Sequence, residues 1–324
     1  SPKRKRGAKM SSKKPIERVM SVKIDSWADL FYLAQIMKFG DWVFRGHARE
    51  EWKLESSRER EVMPGEEDYA ESKDPHAYRD LARHLNRPRL IGDEKEVIDD
   101  FRRLNRDSVA EADDEIGVLA TMQHYGTPTR LLDFSYSLGA ALFFAYDRAV
   151  DMKKHAIWAV RTGPLYEAVD RVSERYKRVD ESDYEFWRDY DQKRLRDKVI
   201  SLANYNIRKR GQGDWEEGVL LVTLPGNNKR LIAQNGLFLF PLTDKSFALN
   251  LAVTLGVSED QVNEPELYEY HSDFDSLVSR AVLLKIVLPQ KFGRTAQNIL
   301  RQMNLTPAVF FPGMEGIART VRYR

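Results

Sequence analysis

The sequence predicts an α+β fold: mixed, largely antiparallel central sheets with surrounding helices. Three observations point there. Strand-like runs and helical periods follow one another without a regular βαβ rhythm, which disfavours a doubly wound sheet. At 42% apolar and 31% charged in 324 residues, the composition is that of a chain with a sizeable core. The longest apolar stretches, around Ala140–Tyr146 and Ala281–Leu288, fall well short of the roughly 18 residues a membrane span needs and fit buried elements.

Taken in order, residues 1–20 read as a basic, flexible tail. Lys3, Arg4, Lys5, Arg6, Lys9, Lys13, Lys14 and Arg18 face the single acid Glu17. Such a tail is either a solvated arm or a salt-sensitive contact for nucleic acid or an acidic partner. Residues 21–324 form one domain, ordered from about Val22. Ser26 and Asp29 make a capping box for a helix carrying Trp27, Leu30, Phe31, Ala34 and Met37, which Gly40 ends. Asp41–Gly46 is a short buried strand. Residues 51–93 are polar, with helical pieces at Glu67–Ala70 and Tyr78–Leu85. Glu94–Val109 and Ile116–His124 are helices.

Ser137–Ala149 is apolar nearly all round, hence a buried helix, and His155–Arg161 is the strand after it. Residues 163–213 are a helical insertion, with one long helix implied by Tyr184, Trp187, Asp191, Leu195, Val199 and Leu202. Its Arg194, Arg196, Lys198, Arg208, Lys209 and Arg210 make either a basic flank or a solvated face. Val219–Leu224 and Leu237–Phe240 are strands around a helical turn at Arg230–Asn235. Ala281–Leu288 is a strand, Gln290–Met303 a helix and Pro307–Phe311 a last strand, with a short helix from Pro312.

Several chemistries are disfavoured. There is no cysteine, so disulfides, thiolate ligands and a cysteine nucleophile are excluded, and a reducing compartment fits. His47, His76, His84, His124, His155 and His271 lack metal-ligand spacing, and no metal is expected, although Asp133 and Glu315 are the acids a magnesium ion would use. Gly211-Gln212-Gly213 lacks the context of a phosphate loop, and no Gly-x-Ser-x-Gly elbow exists. No apolar segment follows the basic N-terminus, so the reading is cytoplasmic, without a membrane partner.

The densest polar feature is Gln123-His124-Tyr125-Gly126-Thr127-Pro128-Thr129-Arg130-Leu131-Leu132-Asp133-Phe134-Ser135. Gly126 and Pro128 force a turn, and Leu131-Leu132 pins the chain to the core. A polar loop held between buried elements keeps its side chains in fixed directions, as a preorganised site requires. The bland alternative is that Arg130 pairs with Asp133 and His124 caps its helix.

Trp42-Val43-Phe44-Arg45-Gly46, the part of this motif from Gln123 to Asp133, and Ala140-Ala141-Leu142-Phe143-Phe144-Ala145 resemble the FRG domain, named for its Phe-Arg-Gly motif. Arg230 with Gln234-Asn235-Gly236-Leu237-Phe238, and Phe310-Phe311-Pro312-Gly313-Met314-Glu315-Gly316, agree with it. The layout is similar to that of ADP-ribosyltransferases, which implies an ADP-ribosyltransferase-like core, NAD as substrate and a role in bacterial or phage toxicity or defence. By that resemblance Arg45 would grip the diphosphate or ribose and Ser135 would match the second-motif hydroxyl. Gly46, Tyr125, Thr129, Arg130 and Gln234 complete the expected NAD-binding set. Arg45, His124, Asp133 and Glu315 are the catalytic candidates. For the carboxylate that stabilises the ribosyl cation, Glu315 comes first, Glu216 or Glu217 second and Asp133 third. The acceptor would be a protein or a nucleic acid. The competing classes are a non-catalytic nucleotide or nucleic-acid sensor, and a nuclease using His124, Arg130 and Asp133.

Overall fold

A computed structural model of the chain describes residues 18–62, 94–104, 114–147, 154–179, 184–209, 215–225, 229–268 and 273–322. The basic tail through residue 17, the helical pieces at 67–70 and 78–85, and Gly211–Gly213 lie outside the described residues.

Eight strands form one mixed sheet: β1 (Val19–Lys23), β2 (Trp42–His47), β3 (Leu132–Ser135), β4 (His155–Arg161), β5 (Val219–Val222), β6 (Gly236–Pro241), β7 (Glu266–Leu267) and β8 (Leu283–Leu288). Their order is β5-β6-β3-β2-β4-β8-β1-β7. From β5 to β8 every pairing is antiparallel, and β1 lies parallel to both β8 and β7. The fold class is therefore α+β, with a single sheet among the described residues where the sequence suggested several.

Helices cover both faces, so alternate residues of a strand enter different cores. Trp42 and Phe44 pack with Ala140, Ala141 and Phe143 of the Leu138–Tyr146 helix. Val43 packs on the other side with Trp158, Val160 and Leu251 of the Phe247–Leu255 helix. This two-sided cover explains why the strands read as unbroken apolar runs. A third cluster joins β5 and β6 to the Glu115–His124 and Leu195–Arg208 helices. No helix among the described residues is long and apolar enough to cross a membrane.

Several expectations change. The capping box at Ser26 and Asp29 is present, but its helix stops at Ile36, and Gly40, with φ +89°, serves the turn into β2. The expected long helix of the insertion is two, Tyr184–Asp191 and Leu195–Arg208, because Phe186 folds back to stack on Tyr205 at 4.3 Å. Pro307–Phe311 is no strand: Pro307 starts a short helix, Pro307–Phe310, for which its fixed φ is suited. Order also begins earlier than Val22, since β1 starts at Val19.

Candidate functional site

The site begins with a defect in the ladder. β2 pairs with β4 along its whole length, yet it meets β3 at one register pair only, Phe44 with Ser135. Meanwhile β3 stays paired with β6 from Leu132 to Ser135. Past Phe44 the two central strands part, and Arg45 is the first residue in the gap. Its Nη1 donates to the carbonyl of Asp133 at 2.7 Å, bridging the opening, and lies 3.9 Å from the Asp133 carboxylate.

His47, two residues on and facing the same way, steadies the guanidinium. Arg45 Nε donates to His47 Nε2 at 3.1 Å, while Nδ1 faces the carbonyl of Trp52 at 3.3 Å. A carbonyl only accepts, so Nδ1 carries the proton and Nε2 the lone pair. Burial and the neighbouring Arg45 push the His47 pKa down to about 3, which keeps the ring neutral. Burial also lowers Arg45 to about 10, partly offset by Asp133, so it stays charged at neutral pH. Its third nitrogen, Nη2, bonds no described protein group.

The gap opens into a cleft of about 500 Å³. Arg45, Arg49, Arg230 and Arg319 line it against Asp133 and Asp147, with Trp52, Phe144 and Phe311 as apolar walls. Phe311 has two guanidiniums over its ring, Arg230 at 4.8 Å and Arg319 at 4.1 Å from the ring centre. Arg319 is held by Asp147 at 3.3 Å and Glu315 at 2.7 Å. Four arginines against two aspartates make a hollow suited to an anionic ligand.

Of the residues singled out from sequence, Arg45, Gly46, Asp133, Ser135 and Gln234 line this cleft. Ser135 has its hydroxyl engaged: it donates to the carbonyl of Gln234 at 2.7 Å and accepts from the amide of Ser137 at 2.9 Å. Gln234 in turn donates to the carbonyl of Phe310 at 3.0 Å. These two side chains tie β3 to the C-terminal segment that carries Phe311. The Asp133 carboxylate is more than half exposed and accepts from Gln123 Nε2 at 2.8 Å.

Thr129 and Arg130 are placed elsewhere. Thr129 is buried, donates to Gln123 Oε1, and accepts at its carbonyl from the Arg58 amide at 3.2 Å. It positions Gln123 and hence Asp133. Arg130 pairs with buried Glu94 at 2.6 Å, donates to the Pro241 carbonyl and Asn206 Oδ1, both at 2.9 Å, and lies over Phe240. The sequence-level alternative of an Arg130–Asp133 pair is thus replaced by Arg130–Glu94. Its guanidinium has no surface left for a substrate.

His124, Tyr125 and Glu315 are not among the lining residues. Tyr125 is largely exposed and ends its helix before Gly126, whose φ is +91°. Glu315 follows no strand; it sits in the first turn of the Met314–Arg322 helix and pairs with Arg319 four residues on. His124 is near both: burial first and then Arg230 lower its pKa, with Glu315 acting against them. Glu216, half exposed, pairs with Arg175, and Glu217, partly buried, pairs with Lys245; neither lines the cleft. The sequence reading passed over His47, Arg49, Trp52, Asp147, His155 and Arg319 as site residues. Only His47 had a local signal, the strand alternation that puts it on the same face as Arg45.

Comparison with protein families matches the FRG domain to residues 40–154. This chain carries an FRG domain. The matched stretch contains β2, β3 and the Leu138–Tyr146 helix, and so the Phe44-Arg45-Gly46 triplet with its partners. Phe44 enters the core, Arg45 bridges the split, and Gly46 lets the helix lie against the sheet, since a Cβ there would be 1.9 Å from the Ala141 carbonyl oxygen. The other wall, with Arg230, Gln234, Phe311 and Arg319, comes from outside the matched residues. No curated protein and no solved structure matches the chain.

Proposed function

We propose that the cleft binds NAD and that the protein transfers or hydrolyses its ADP-ribosyl group, acting as a toxin or defence effector. The observation that carries this reading is Arg45, a guanidinium fixed on two sides at the split between β2 and β3, with Nη2 uncommitted beside a cleft of about 500 Å³. In this scheme Arg45 takes a diphosphate oxygen, with Arg230 and Arg319 supplying positive field from the opposite wall. The nicotinamide–ribose C–N bond breaks, nicotinamide leaves with the electron pair, and water or an acceptor nucleophile closes on the ribosyl carbon. Asp133 stabilises the oxocarbenium-like centre, because its exposed carboxylate is within the cleft. That ranks Asp133 above Glu315, which serves in this scheme to hold Arg319.

The test is to incubate purified protein with NAD and measure released nicotinamide chromatographically. Wild type should release it, and Arg45→Ala and Arg45→Lys should each lose at least about 100-fold, as when a stabilising donor is removed from a transition state. Asp133→Asn should fall similarly, while Glu315→Gln should retain most activity. A folded wild-type protein that releases nothing and labels no acceptor would end the catalytic reading. The second reading, a nucleotide sensor, draws on the same arginines. It predicts that NAD raises the melting temperature without any nicotinamide appearing.

A further inference from the structure

The aromatic walls of the cleft are not alike. Phe44, Phe134 and Phe311 are buried in the core, and Phe144 packs against it, edge-on to Phe143 and Phe311. Trp52 belongs to none of the hydrophobic clusters among the described residues and is 48% exposed, although it is a wall of the same space. A single exposed ring on an open surface needs no explanation. This one borders a hollow lined with arginines, and it is held still.

The turn after β2 that carries Trp52 is fastened at three points. The Trp52 carbonyl accepts from His47 Nδ1 at 3.3 Å, the Trp52 amide donates to the Arg49 carbonyl at 3.3 Å, and the Glu50 amide donates to the Lys154 carbonyl at 3.0 Å. The indole stands edge-on to the His47 ring, 6.0 Å between centres. Arg49 is 5.9 Å from the indole centre, well outside the 4.1 Å at which Arg319 lies on Phe311, so its guanidinium is not stacked there. A rigid ring of this kind gives up little conformational freedom on binding. Every nucleobase has a π-face that can stack on it without matched hydrogen bonds.

The place of Trp52 relative to Arg45 distinguishes between the two ends of a dinucleotide. His47 joins Arg45 Nε to the Trp52 carbonyl, whereas Nη1 is turned to Asp133. A diphosphate on Nη2 would then have the indole toward one end and the Asp133 carboxylate toward the other. The reacting ribose is assigned to Asp133, which leaves the adenosine end for Trp52. We propose that Trp52 is the stacking platform for the adenine of a nucleoside diphosphate held by Arg45. This rests on the reading of the cleft as an NAD site and adds to it the residue that receives the base.

The test is titration calorimetry on the full chain with ADP-ribose, nicotinamide mononucleotide and inorganic pyrophosphate. ADP-ribose carries the adenine and has no nicotinamide to lose. Wild type should hold it at least about tenfold more tightly than pyrophosphate. Trp52→Ala should weaken ADP-ribose by about tenfold, with the other two ligands changing less than about twofold. Trp52→Phe keeps a ring and should recover most of the affinity. The proposal is overturned if ADP-ribose does not bind wild type, or if it binds Trp52→Ala as tightly. It is also overturned if nicotinamide mononucleotide is the ligand that suffers, or if all three weaken alike in both variants, since Trp52 would then only support the turn. Nicotinamide release from NAD is scored separately. A protein with this affinity pattern and no release keeps the adenine platform and loses the chemistry. One that releases nicotinamide while Trp52→Ala binds ADP-ribose unchanged keeps the chemistry and loses the platform.

Discussion

At Gly46 two backbones meet. A Cβ there would sit 1.9 Å from the carbonyl oxygen of Ala141 and 2.7 Å from the amide nitrogen of Ala145. Neither atom can rotate aside, so the helix itself would have to move. Gly46→Ala should therefore destabilise the protein by more than about 3 kcal/mol, in the range of severe core overpacking. Urea unfolding of the variant checks this, and a shift under about 1 kcal/mol would mean the helix has freedom to slide. The neighbouring His47 makes a pH prediction. Its folded pKa, about 3, lies below the ordinary 6.5. As pH falls below 6.5 the unfolded chain binds a proton that the folded chain refuses, so stability declines toward pH 3. Between pH 7 and 5 this one residue should remove about 2 kcal/mol. His47→Gln cannot titrate, and urea curves at the two pH values should differ less for it than for wild type by that amount. Equal pH sensitivity in the two proteins would refute the assignment.

Among elements, the central loop is secured from its buried side. Arg130 gives its guanidinium to Glu94, Asn206 and Pro241, joining the loop to the Glu94–Leu104 helix, the Leu195–Arg208 helix and the end of β6. Removing one partner of such a pair strands the other charge, which costs about 3–5 kcal/mol. Arg130→Met should lower stability by that much, yet at a temperature where it remains folded its NAD affinity should match wild type. A selective loss of NAD binding with unchanged stability would return Arg130 to the site. Strands such as His155–Arg161 were legible in the sequence because apolar β-branched runs persist locally, and the helix at Leu138–Tyr146 because it is apolar all round. The loop was legible as a polar cluster between buried elements. Its division of labour was not, since Arg130 and Arg45 differ only in their neighbours: Glu94 is 36 residues from the one, and Asp133 is 88 residues from the other. Pro307–Phe311 misled because a short apolar run suits either a strand or a buried helical turn. Arg319 and Asp147 carried no motif at all, and only the packing of the last helix brings them together.

The cleft belongs to the whole chain, although the FRG match covers only residues 40–154. Within that stretch β2 and β3 share one register pair. Their extended partners, β4 for β2 and β6 for β3, begin at His155 and Gly236. Removing them would expose unpaired backbone along both strands and uncover Trp42, Phe44, Leu132 and Phe134, all nearly fully buried in the intact protein. The hydrogen bonds that close the far wall also leave the segment: Ser135 reaches Gln234, and Gln234 reaches Phe310. The cooperative unit is therefore larger than the recognisable motif region. A protein comprising residues 40–154 alone should show no cooperative thermal or urea transition and no affinity for NAD or inorganic pyrophosphate, while the full chain unfolds cooperatively. Circular dichroism with denaturant titration decides it. A sigmoidal transition in the isolated segment would mean that the split between β2 and β3 is stable without its flanking strands, and that Arg45 needs neither Arg230 nor Arg319 to face a preformed hollow.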